Sequence, residues 1–98
     1  MVISIKALVA SGDTAAQGSV VYDKLVKAMR TGGIVTVDFD GIMNITSSFA
    51  NTAFVPLLNE FSFDLIKARL VVRGANRQIA NMLRDRMSKE SARKSIAA

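Results

Sequence analysis

The segment Ile34 to Phe39 restricts the fold of this chain more than any other. It is apolar apart from Thr36 and Asp38, follows Gly32-Gly33 and stops at Asp40-Gly41. A short run rich in β-branched residues between glycines reads as a strand, not a helix. Strands of this kind are commonly covered on both faces, and such strands belong to parallel sheets carrying helices. The segment is therefore expected to be the central strand of an α/β fold.

The flanking periodicities fit that expectation. Val2 to Val9 reads as a first strand, with Lys6 marking an edge or end position. Ser11-Gly12-Asp13 reads as a turn, and Asp13 or Thr14 as the cap of a helix burying Val21, Leu25, Ala28 and Met29. Gly32-Gly33 ends that helix. Phe49, Ala53, Leu57 and Phe61 recur every fourth residue, so the spacing predicts one helix from Ser48 to Phe61, bent at Pro56. Leu65 to Val72 reads as a third strand, closed by Arg73-Gly74. Asn76 then caps a last helix with Ile79, Met82, Leu83 and Met87 on its buried face. The order β-α-β-α-β-α implies right-handed crossovers and a small, mainly parallel sheet covered by helices. Residues 1–87 form one domain, and residues 88–98 are a polar, basic helix extension or tail.

Composition removes whole classes of chemistry. The 98 residues include no histidine and no cysteine. The usual general base near neutral pH, thiol nucleophiles and ordinary zinc ligands are thus missing. No glycine-rich phosphate loop is evident. The expectation is a non-enzyme with no cofactor and no metal. No apolar run approaches the roughly 18–20 residues of a membrane span, and Lys6 interrupts the apolar start instead of preceding it as in a signal peptide. A cytoplasmic location is expected. The net charge of +5 is uneven, with residues 67–98 carrying +7 and residues 1–66 carrying −2. The basic surface therefore belongs to the C-terminal third.

Candidate functional residues gather after the central strand. Loops leaving the carboxyl ends of strands are where open α/β sheets bind ligands, which singles out residues 40–48. Thr46, Ser47 and Ser48 stand where a helix begins. A hydroxyl there either caps the helix or accepts a phosphate, which the helix dipole would favour. Asp38 and Asp40 are two carboxylates with no third partner identified, so they make a poor metal site. Asp40 with Gly41 is better read as a turn. Phe49 fits the core by its spacing, and its place beside the hydroxyls also makes it a candidate contact. Arg73, Arg77 and Arg84 form a basic patch suited to nucleic-acid phosphates or to an acidic protein.

The series Val37-Asp38-Phe39-Asp40-Gly41-Ile42, two residues, then Ile45-Thr46-Ser47-Ser48-Phe49-Ala50 resembles the STAS domain of bacterial anti-sigma-factor antagonists. It is closer to the STAS-like proteins paired with histidine-kinase-type ATPases. Antagonists carry an aspartate, two serines and a glycine where this chain has Thr46, Ser47, Ser48 and Phe49. The resemblance implies a STAS-like fold and a small regulatory module. The partner would be a histidine-kinase-type ATPase or an anti-sigma-like regulator. Asp40, Asn44, Thr46, Ser47, Ser48 and Phe49 would form the contact, and Ser47 or Ser48 would be the phosphoacceptor. The alternatives are a basic nucleic-acid-associated protein, or a phage or mobile-element protein that blocks a host regulator. Monomer and homodimer are both open.

Overall fold

The computed structural model describes residues 1–97, with side chains through Arg93. Three parallel strands, β1 (Val2–Ser4), β2 (Val35–Asp38) and β3 (Leu70–Arg73), lie in the order β1-β2-β3. The register sets Ile3 beside Val37 and Val37 beside Val72, while Thr36 lies between Val2 and Val71. The central position expected for Ile34–Phe39 is observed. The parallel α/β class is observed as well.

Coverage of β2 differs from expectation. Val35, Val37 and Phe39 are buried, whereas Thr36 and Asp38 are half-buried. On their side of the sheet Val2 and Val71 are exposed. The strand order explains this. When both crossovers step the same way across the sheet and both are right-handed, their helices fall on one face. The sheet therefore has one packed face and one open face.

Helix α1 (Ile5–Leu8) follows β1 directly, so the expected strand Val2–Val9 is cut short. Ser4 halts it by accepting the Ala7 N–H, a local bond that favours a helical turn over a longer strand. Helix α2 (Ala15–Arg30) begins at Thr14, which forms a reciprocal capping box with Gln17. It ends before Gly32 and Gly33, both with positive φ. Its buried face contains Val21, Leu25, Ala28 and Met29, as the periodicity predicts.

The expected single helix from Ser48 to Phe61 is two pieces. Helix α3 (Ser47–Ala53) stops ahead of Pro56, and a 3-10 helix covers Val55–Asn59. Proline lacks an N–H and clashes with the preceding turn, so it starts the second piece. The expected third strand, Leu65–Val72, is likewise divided. Helix α4 (Phe63–Arg69) starts at Ser62, whose hydroxyl accepts the Leu65 N–H, and only Leu70–Arg73 is β3. Arg69 donates to the carbonyls of Met29 and Gly33, clamping α4 onto the end of α2. Helix α5 (Arg77–Ala97) is capped by Asn76, whose Oδ1 accepts the Ile79 N–H at 2.9 Å. It runs through the region expected as extension or tail, of which Ala98 lies outside the described residues.

The core sits between the packed sheet face and the helices. Phe39 and Phe54 stack with centroids 5.9 Å apart, and Phe49 is 6.5 Å from Phe54. Ile79, Leu83 and Met87 of α5 close it from one side.

Candidate functional site

All three strands end on the same edge, so the segments leaving β1, β2 and β3 converge there. Asp38 organises the junction. Its carboxylate accepts the Asp40 N–H at 2.9 Å and a bond from the Arg73 guanidinium at 3.1 Å. The Asp40 N–H, and then Arg73, hold this carboxyl below the usual carboxylate range. Gly74 fits against it only as glycine. An added Cβ would lie 2.8 Å from Asp38 Oδ1 and 2.9 Å from the Asp40 nitrogen, and φ is +71°.

The loop from Phe39 to Thr46 is held from both sides. Toward β1, the Thr46 N–H donates to the Gly12 carbonyl at 3.0 Å, and Thr46 Oγ1 donates to the Asp13 carbonyl at 2.9 Å. Toward α5, Gln78 accepts the Ile45 N–H at 3.1 Å and donates back to the Ile45 carbonyl at 2.9 Å. Asn76 donates to the Met43 carbonyl. Ile42 and Ile45 are buried below. The backbone is thereby fixed while Asp40, Met43, Asn44, Ser47 and Ser48 face solvent. Met43 is 79% exposed, unusually open for so apolar a side chain. A cavity of about 150 Å³ lies beside it, among Lys6, Ala10, Ser11, Asp13 and residues 41–44.

The sequence-derived candidates separate into distinct situations. Thr46 is the N-cap of α3, accepting the Phe49 N–H at 3.1 Å. Ser47 and Ser48 occupy the first exposed turn, and neither hydroxyl has a protein hydrogen-bond partner among the described residues. Phe49 corrects an expectation. It is wholly buried and packs near Phe54, because the fourth-residue spacing turns it inward, so it is core and not a contact.

The basic candidates are also unlike one another. Arg73 is bound to Asp38, Arg77 opens α5, and Arg84 lies farther along that helix beside an apolar groove. Sequence reasoning missed Met43 and Gln78. Met43 resembles its buried neighbours in type, and the partner of Gln78 lies 33 positions away. Among the described residues, no group of three Asp or Glu side chains is placed to hold a metal. No helix there is long and apolar enough to cross a membrane.

A family model described as the STAS-like domain of unknown function (DUF4325) matches residues 17–80. The match runs from the first turn of α2 through β2, the loop, α3, the 3-10 helix, α4 and β3 to the first turn of α5. The chain belongs to this STAS-like family. No curated protein and no solved structure matches it.

Proposed function

For this member of the STAS-like family, we propose a regulatory protein-interaction role exerted through residues 40–48 and the first turn of α3. The observation that carries the reading is a pinned backbone displaying unpaired groups. Asp40, Met43, Asn44, Ser47 and Ser48 are exposed on a loop tied to both neighbouring segments. A surface held rigid before contact loses little conformational entropy on binding. Met43 supplies an apolar anchor, and the polar groups around it supply direction.

The partner class proposed is a histidine-kinase-type ATPase, supported by the resemblance of residues 37–50 to anti-sigma-factor antagonists. Such a kinase would bring ATP and Mg²⁺. The Ser47 or Ser48 oxygen would attack the γ-phosphorus, the bond to ADP would break, and the hydroxyl proton would pass to a kinase base. The phosphoserine would carry nearly two negative charges into the contact. Both hydroxyls are open to this reaction because Thr46 alone performs the capping.

A pull-down from native host lysate, with bound proteins identified by mass spectrometry, would name the partner. Capture should be lost in Ser47→Asp or Ser48→Asp and in Met43→Asp, with circular dichroism unchanged. Unaltered capture by all three variants would refute the role of this surface.

A further inference from the structure

A second surface shares no residue with that loop. Between α4 and α5, beyond the edge of β3, lies an open groove of about 310 Å³. Phe54, Ile66, Leu70, Val72, Leu83 and Met87 make its apolar lining. Val72 is on the packed face of the sheet, yet it is 40% exposed, because β3 is an edge strand among the described residues. Two cations, Lys67 of α4 and Arg84 of α5, border the groove.

Neither cation is held in a buried ion pair. The Arg84 guanidinium makes no ion pair or hydrogen bond among the described residues. Lys67 sits over the Phe63 ring and reaches Asp64 at 3.8 Å, but that carboxylate is 96% exposed and is screened by solvent. Of the ionisable side chains lining the groove, both are positive.

We infer that this groove docks an acidic amphipathic helix of a partner protein. A row of apolar side chains at i, i+3, i+4 and i+7 would enter between α4 and α5. Aspartates or glutamates flanking that row would meet Lys67 and Arg84. Charge chooses this occupant over a second copy of the chain. Two grooves brought face to face would oppose Lys67 and Arg84 to their own counterparts, and like charges across a contact are unfavourable. The inference does not depend on the role proposed for residues 40–48.

The test uses the full chain and two labelled helical peptides of about 16 residues with leucines at those positions. One peptide carries glutamates beside the leucines and the other carries lysines. By fluorescence anisotropy the glutamate peptide should bind saturably, at least about tenfold tighter than the lysine peptide, and more weakly as salt rises. Arg84→Glu should weaken it at least about tenfold. Ala80→Trp, which fills the groove, should abolish binding, and Met43→Asp should leave it unchanged. Equal binding of the two peptides, no saturable binding, or no effect of Arg84→Glu would overturn the inference. So would a sedimentation-detected dimer that Ala80→Trp dissolves, or binding of laurate by the groove without binding of the glutamate peptide. Arg84→Glu alters an exposed side chain, so the test stands even if Ala80→Trp fails to fold.

Discussion

Three consecutive hydroxyls, Thr46, Ser47 and Ser48, show how position divides chemically similar residues. Thr46 spends its hydroxyl twice, accepting from the Phe49 N–H and donating to the Asp13 carbonyl. The next two residues lie past the cap, where the helical backbone turns their side chains to solvent. Removing a cap costs about 1 kcal/mol, and the bond to Asp13 adds to that. Thr46→Ala should therefore lose roughly 1–2 kcal/mol in urea denaturation, while Ser47→Ala and Ser48→Ala should stay within about 0.5 kcal/mol of the parent. Comparable losses at all three positions would show that the serines are structural. The capping signature was legible in sequence, but which hydroxyl did the capping was not. That depended on where the backbone left its extended conformation, and Gly12 and Asp13 fix this point from another segment.

Among the elements, the α2–α3 pair depends on a close approach at Gly18. A Cβ at that position would lie 2.9 Å from the Phe49 carbonyl oxygen and 2.9 Å from Thr52 Cβ. Alanine in a helix interior ordinarily gains about 1 kcal/mol over glycine. Here one contact is backbone, so the two helices must separate, and overpacking of this kind costs about 1–3 kcal/mol. Gly18→Ala should thus lower stability by roughly 1–2 kcal/mol, read as a fall in melting temperature. A rise would mean that the helices part without cost. Helical spacing predicted the buried faces of α2 and α5, where Val21, Leu25, Ala28 and Met29, and Ile79, Leu83 and Met87, are buried. It failed at Pro56, where spacing suggested continuity and the missing N–H divided the segment instead. At residues 63–69 the β-rich end of the segment obscured a helix that Ser62 caps and Arg69 anchors to α2.

For the whole molecule, the carboxyl edge of the sheet is held together by contacts between distant segments, and one of them titrates. Asp38 keeps its proton less readily than an ordinary carboxyl, through the Asp40 N–H and Arg73. A lowered pKa in the folded state stabilises the protein above the unfolded value of about 3.9, and this contribution fades as pH falls through the folded value. The stability gap between the parent and Asp38→Asn should therefore be widest well above the unfolded value of about 3.9 and narrow as pH falls below it, by urea midpoints at each pH. A gap independent of pH would assign the effect of the substitution to packing. The sequence by itself determined the α/β class, the central strand, the buried faces of α2 and α5, and the place of the loop at the carboxyl end of that strand. These follow from local periodicity, glycines and caps, all carried by neighbouring residues. Only the tertiary structure decided that one sheet face stays open, that Phe49 is sealed in the core and that Met43 is not. It also decided that Gln78 clamps the loop and that Arg84 borders a groove. Each of these depends on which strands lie side by side and on residues brought together from far along the chain.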